Sequence, residues 1–390
     1  MKGSNNRILS IAATPFFADR GGHIRIYSLV KYLQKNDFVV RLCTYHLGDN
    51  PEGIDIHNIK RTINIPWYKK TTPGASFHKI YLNFFLLILS IKEYFLFRPA
   101  FIHAQMFEGV FIAGFIKLLT LGRAKVVMDC QGSLTQEMIA YTLHKKKYYK
   151  IFIPIFVFIE WLTLKIPNKI YCTSENSYNY LKAKYRIKDS KIDVLNDGVD
   201  MDLFHTISDE KKIELRKSLN IPAENKLIIY TGAMAKAKGV DVLLENIPTL
   251  LDSMSDVTFG FFGFGKLEDE YRKKYANLIN QEKVIIYGKV PYFELNNFLQ
   301  IADYAIDPKK DSSESSGKLY NYAAAGLPII CFKNDINFKF LKDAGLYIEK
   351  FEDIKEVLSK GKKTEIAVIP DEYKWDNLIG KLVNYVRDGK

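Results

Sequence analysis

PKKDSSESSGKLYNYAAAGLPIICF, residues 308–332, runs from a polar, Ser-rich loop through Ser316-Gly317-Lys318 into an Ala-rich segment. Gly326 and Pro328 close that segment, and Ile329-Ile330-Cys331-Phe332 follows at once. The order predicts a loop, a helix, a tight turn and a buried strand. A glycine supplies the backbone freedom that ends a helix, and a proline cannot continue one. The unpaired N–H groups at the start of such a helix, with the dipole behind them, favour an anion. Structurally this is a well-capped α/β unit; functionally it is a candidate site for phosphates and sugar hydroxyls.

The other half of the chain opens in the same style. Ile8–Ala13 reads as a buried strand, followed by a loop and then Gly21-Gly22. Beyond them Ile26, Leu29, Val30 and Leu33 recur at helical spacing. Two glycines let backbone N–H groups approach a ligand closely, although they do not make a GxGxxG motif. Further strands are predicted at 38–44, 100–104, 125–130 and 169–174, with helical stretches between most of them. This alternation predicts a parallel sheet with helices on both faces, with ligands outside the carboxyl ends of the strands. The loops holding Gln105, Gln131 and Ser174 are therefore candidate ligand loops. His23 and Arg25, just past the glycine pair, are candidates to face a ligand. His103, inside a strand pattern, reads as structural.

Near Asp193 the pattern changes. The turn-rich segment Asn196-Asp197-Gly198-Val199-Asp200 marks the predicted domain boundary. After it, Lys226–Thr231, Val257–Phe262 and Val284–Tyr287 repeat a strand-to-glycine design, and Tyr304–Ile306 leads into the opening stretch. The predicted domains are 1–197, 198–371 and a final helical segment, 372–390, crossing back to the first.

With 390 residues, two domains are expected, and a hydrophobic content of 47% suits a large core. The net charge of +12 points to anionic partners. Zinc-knuckle and RNP-type aromatic motifs are absent from the sequence, which argues against nucleic acid. Cys43, Cys130, Cys172 and Cys331 are isolated in apolar runs, as expected of reduced thiols rather than a disulfide framework or a zinc site. The start, MKGSNNRILSIAAT, is too polar for a signal peptide, and no run of about eighteen uncharged apolar residues predicts a transmembrane span. A cytoplasmic protein is expected. Two segments, 67–95 and 144–167, combine aromatic, aliphatic and basic residues. Their apolar runs are read as core helices. Lys69-Lys70 and the run Lys145–Lys147 with Tyr148 and Tyr149 are read as peripheral contacts with an anionic membrane, on the inner face of the plasma membrane.

Five motifs, in order, resemble those of family-four retaining glycosyltransferases, most strongly from Asn196 to Pro328. Asn196–Asp200 with Phe204 resembles the interdomain N-G-V-D segment. Gly232 with Lys238-Gly239 resembles the G-R-L…K-G loop, and Phe262–Gly265 the V-G-D-G turn. Gly288-Lys289-Val290 resembles the G-x-V turn, and Lys318–Pro328 the helix that binds the donor. Trp375 matches the family's last helix. The resemblance implies a GT-B fold: α/β, two Rossmann-like domains facing each other across a cleft. It also implies transfer of a sugar from a UDP- or GDP-linked donor, without cofactor or metal.

The resemblance gives individual residues roles. Lys238, assisted by Lys236, would hold the donor diphosphate. Gly263, Glu314, Ser315, Ser316, Gly317 and Lys318 would line the donor site, and Gly21-Gly22 would face the diphosphate or the acceptor. Asn321 stands where the family places a glutamate that accepts hydrogen bonds from ribose. Gln131 stands at the position of a histidine and would position a sugar hydroxyl, since an amide does not protonate at neutral pH. Ala233 replaces the family's arginine. Lys238, Gln131 and Asn321 are thus the expected catalytic set, and the acceptor is expected to be a lipid-linked saccharide in surface polysaccharide or glycan biosynthesis. A nucleotide-sugar epimerase and a non-catalytic nucleotide- or sugar-binding subunit are the alternatives.

Overall fold

The computed structural model describes residues 6–18, 21–71, 77–139, 149–265, 268–310, 317–360 and 366–388. The chain divides into two compact units, Met1–Asp197 with Trp375–Lys390, and Gly198–Lys374.

Unit 1 holds seven strands: β1 (Arg7–Ala12), β2 (Val39–Thr44), β3 (Ile59–Arg61), β4 (Phe101–Gln105), β5 (Val126–Cys130), β6 (Lys169–Cys172) and β7 (Ile192–Val194). All pair in parallel, in the order β3-β2-β1-β4-β5-β6-β7. The strand direction of travel reverses between β1 and β4, which makes that gap the topological switch point. The two faces of the sheet differ in chemistry. Leu9, Ile11, Ile102, Ala104, Met128 and Cys130 pack into one apolar core on one face. The alternate positions carry Ser10, His103, Gln105 and Asp129, all buried.

Unit 2 holds six strands: β8 (Lys226–Thr231), β9 (Val257–Phe262), β10 (Val284–Gly288), β11 (Tyr304–Asp307), β12 (Ile329–Phe332) and β13 (Gly345–Ile348). They too are all parallel, in the order β10-β9-β8-β11-β12-β13, so the switch point lies between β8 and β11. Both faces are covered. Ile228 and Tyr230 enter one core cluster and Ile229 another, which is why this strand reads as a continuous apolar run.

The predicted strands lie within a residue or two of those observed, but β3, β7 and β13 were not expected. β3 and β7 are three residues long, too short to show a run, and the four-residue β13 opens on a glycine. The larger correction concerns the greasy segments. The helices His78–Phe97 and Tyr149–Lys165, expected in the core, show large apolar side chains to solvent; Ile80 is 71% exposed and Ile151 67%. The first of these is also long and apolar enough to cross a membrane by length and composition alone, with mean hydropathy 1.6 and 28% of its apolar window buried. Lys145–Lys147 and Tyr148 lie outside the described residues.

Candidate functional site

In unit 2, three loops converge at the carboxyl ends of β8, β9 and β11. Gly232 follows β8 at φ +127°, a region that disfavours side chains. Its amide donates to Phe262 O at 3.0 Å, and Met234 N donates to Phe264 O at 3.0 Å, so the first two loops are laced together. Gly263 is required by this lacing: a Cβ there would lie 1.7 Å from Gly232 O. The chain after Gly232 makes a short 3-10 turn, Lys236–Lys238, which exposes both lysines. Gly239 then starts the helix Val240–Leu251, and a Cβ at Gly239 would stand 2.4 Å from Pro308 O. The turn bearing Lys238 therefore lies against Pro308-Lys309, the first residues after β11, at the switch point.

The helix Gly317–Ala324 begins beside this place. It is pinned to β8 by Tyr322, whose hydroxyl oxygen accepts from Thr231 N at 2.8 Å. Lys318, in its first turn, places Nζ 3.2 Å from Asp307 Oδ1 and 4.7 Å from the centre of the Tyr230 ring. The ammonium thus neutralises a buried carboxylate at the end of β11. Lys318 was expected to line the donor site; its ammonium is paired with Asp307 there. Asp307 itself was missed, although an aspartate closing an apolar strand before a proline was the available signal. Asn321 sits half-buried one turn further along. Glu314, Ser315 and Ser316 lie outside the described residues, while Gly317 is the first residue of the helix.

In unit 1 the glycine pair opens the helix Gly21–Lys35. Gly22 and Gln131 come together, since a Cβ on Gly22 would lie 2.9 Å from Gln131 Oε1. Gln131 Nε2 donates to Asp129 Oδ2 at 3.1 Å, which fixes the amide with its oxygen toward the glycine. Only small groups fit between the helix start and Gln131.

Arg25 does not face outward as expected. It is buried (3% exposed), with Nη2 2.6 Å from Asp129 Oδ1 and Nη1 2.8 Å from Asp197 Oδ1. It also donates to Leu195 O at 2.8 Å and Asn196 O at 3.1 Å, and lies 5.6 Å from the ring of Trp375. Burial pushes the Asp129 carboxyl up, but the Arg25 charge and hydrogen bonds outweigh it and hold the group below the usual carboxylate range. His23 is likewise committed inward. Ala18 N donates to Nδ1 at 3.0 Å, which leaves Nε2 to donate to Thr14 Oγ1 at 2.8 Å. Burial holds His103 near about 4 despite neighbouring Asp129, so it stays neutral and structural.

Each unit thus places its candidate residues at the carboxyl edge of its own sheet: Lys236, Lys238, Lys318 and Asn321 in unit 2, Gly21, Gly22 and Gln131 in unit 1. Exposed cations, glycine loops and a helix start suit an anion in unit 2; a fixed amide beside a helix start suits a polar, uncharged ligand group in unit 1.

Residues 20–203 match the family model described as Glycosyltransferase Family 4, and residues 211–364 that of Glycosyl transferases group 1. The putative teichuronic acid biosynthesis glycosyltransferase TuaC of Bacillus subtilis is 30% identical over 141 residues, 35% of this chain and 32% of that protein. Sulfoquinovosyl transferase SQD2 of Arabidopsis thaliana is 22% identical over 324 residues, 83% of this chain and 58% of that protein. The chain therefore spans between a third and three fifths of these relatives' length. HepE of Anabaena, solved in complex with UDP and glucose, superposes with a TM-score of 0.70 at 14% identity, covering 97% of this chain and 98% of that one. The fold shared with HepE is GT-B, and the two family models, which between them take in both units, place this chain in glycosyltransferase family four.

Proposed function

We propose that the protein is a retaining, metal-independent glycosyltransferase that moves a sugar from a UDP- or GDP-linked donor to a lipid-linked saccharide in surface polysaccharide or glycan biosynthesis. The observation that carries this reading is the convergence in unit 2 of the Lys236–Lys238 turn, the Pro308-Lys309 loop and the start of helix Gly317–Ala324 at one switch point. TuaC, a putative teichuronic acid biosynthesis glycosyltransferase, supports a role in surface polysaccharide assembly, and HepE, solved with UDP, supports a nucleotide-sugar donor.

As the bond between the anomeric carbon and the phosphate oxygen breaks, negative charge grows on the departing diphosphate. Lys238, with Lys236 beside it, and the N–H groups opening the helix at Gly317 stabilise that charge. The acceptor hydroxyl forms the new bond on the same face and gives its proton to the departing phosphate oxygen. Gln131 holds a sugar hydroxyl and takes no proton. His103, buried and held near about 4, supplies no base either.

Incubation with labelled UDP- and GDP-sugars and a lipid extract tests the reading, with EDTA present. Label is expected in the lipid fraction with the donor's anomeric configuration kept. Conversion of free donor without acceptor would favour an epimerase, and inversion, or loss of activity in EDTA, would overturn the mechanism.

Asn321 is assigned to the ribose hydroxyls. Asn321→Ala removes a neutral hydrogen bond of about 1 kcal/mol, so donor KM should rise roughly fivefold with kcat little changed. An unchanged KM would mean the ribose lies elsewhere.

A further inference from the structure

We propose that the outer face of three helices in unit 1, His78–Phe97, Met106–Leu119 and Tyr149–Lys165, seats the protein on an anionic bilayer without spanning it. The surface is separate from the sugar-transfer site and does not depend on that reading.

The three helices connect β3 to β4, β4 to β5 and β5 to β6. These connections travel the same way across the sheet, and right-handed crossovers put them on one face. They are neighbours: Lys79 reaches Glu108 at 3.1 Å, and a Cβ on Gly114 would lie 2.8 Å from Ile166, just past the third helix.

Each helix shows solvent an apolar stripe at helical spacing. On the first it is Ile80, Phe84, Ile88 and Phe95; on the second, Phe111, Phe115 and Leu118. On the third, Ile151, Ile155, Phe158 and Leu162 fall at i, i+4, i+7 and i+11, all at least half exposed. The first helix buries Ser90 and Glu93 beside Leu82, Leu86 and Phe97 while Ile80, Phe84 and Ile88 face outward. Side-by-side apolar stripes make a contiguous exposed apolar face, the kind that marks an interaction or membrane surface.

Charge identifies the occupant. The three helices carry three acidic residues, Glu93, Glu108 and Glu160, and none faces outward unpaired. Glu93 binds Arg41 at 2.7 Å, Glu160 accepts from Thr135 Oγ1 at 2.6 Å and Glu108 holds Lys79. The outer charges are cations: Lys92, Arg98, Arg123, Lys125 and Lys165 are exposed at or near the ends of these helices. Lys165 lies 5.2 Å from the ring of exposed Trp161, the basic and aromatic pairing suited to a headgroup layer. A basic rim repels the same rim on a second copy and matches anionic lipid. Leu82 and Leu86, fully buried, and the Glu93–Arg41 pair tie the first helix to the sheet, so it lies on the bilayer and does not cross it.

The test is flotation of the full chain with phosphatidylcholine vesicles, alone or with about a third phosphatidylglycerol. Binding is expected to the anionic vesicles, weakened at about 1 M salt, where the Debye length is about 3 Å. The triple variant Phe84→Ser, Phe115→Ser, Phe158→Ser should partition about tenfold or more less, while still unfolding in a single cooperative melt because these side chains are about half exposed. Lys92→Gln with Arg123→Gln should reduce the preference for anionic vesicles. No flotation of the wild type, equal flotation of the triple variant, or a sedimenting dimer abolished by that variant would overturn the proposal; the last would make the occupant a second copy.

Discussion

Arg25→Met should destabilise unit 1 by about 3–5 kcal/mol, because it strands a buried carboxylate. Asp129 is fully buried, and among the described residues Arg25 supplies its ion pair, through Nε at 2.9 Å and Nη2 at 2.6 Å. The same guanidinium holds Leu195 O and Asn196 O, so the chain leaving β7 loosens as well. Hydrogen exchange in peptides covering β4 and β5 should speed up by about a hundredfold or more. Adding Asp129→Leu should recover much of the loss, since an apolar pair of similar volume leaves no buried charge.

The pH dependence has a definite sign. In the wild type the Asp129 pKa is depressed on folding, so its contribution is present above the unfolded carboxylate value of about 4 and is lost as pH falls through the lower folded value. In Arg25→Met burial, the largest influence on Asp129, is opposed only by the Gln131 hydrogen bond and by His103, so the folded value should rise above the unfolded one. The penalty is then full above that raised value and fades toward about pH 4, so the gap between the two proteins should narrow on acidification. A gap that widened with acid would contradict the assignment of Arg25 to Asp129.

Lys238→Met should lower the transfer rate by about 10²–10³-fold, the usual loss when one preorganised stabiliser of developing charge is removed. Lys238 stands exposed on a 3-10 turn whose path is set by Gly239 against Pro308, so the fold should survive. The deficit should appear in kcat more than in KM, because the diphosphate gains charge as the sugar leaves. Lys238→Arg should retain part of the rate. An unchanged kcat in Lys238→Met would move the leaving group away from this turn.

Much of the fold is legible in local pattern. Lys226–Thr231 and Val257–Phe262 are apolar runs each followed by a glycine, and they form β8 and β9 as written. The helix in the opening stretch begins at Gly317, ends at Ala324 and is followed by Gly326 at φ +73°, as its composition dictates. The inward role of Arg25 was harder to see. Its signal lay in two places: Asp129 at the buried alternate of VVMDC, and an arginine within an apolar helical face. Neither identifies the other across 104 residues. His23 misled for the same reason, since its partners Thr14 and Ala18 meet it only once the loop after β1 has folded.

The helix His78–Phe97 shows a different limit. An almost wholly apolar sequence reads as buried, yet full burial is confined to the stripe through Leu82, Leu86, Ser90, Glu93 and Phe97, with Tyr81, Phe85 and Leu89 only partly covered. Nothing in the local sequence distinguishes a helix covered by protein from one covered by lipid.

The central claim is that the carboxyl edge of the unit 2 sheet holds the diphosphate of a nucleotide sugar. Its most direct test is calorimetric titration of UDP and GDP into the wild type and into the Lys236→Met, Lys238→Met double variant. One nucleotide should bind the wild type, and the double variant should bind it about tenfold or more weaker, a loss of about 1.4 kcal/mol or more. Equal binding by both proteins, or binding of neither nucleotide by the wild type, would contradict it.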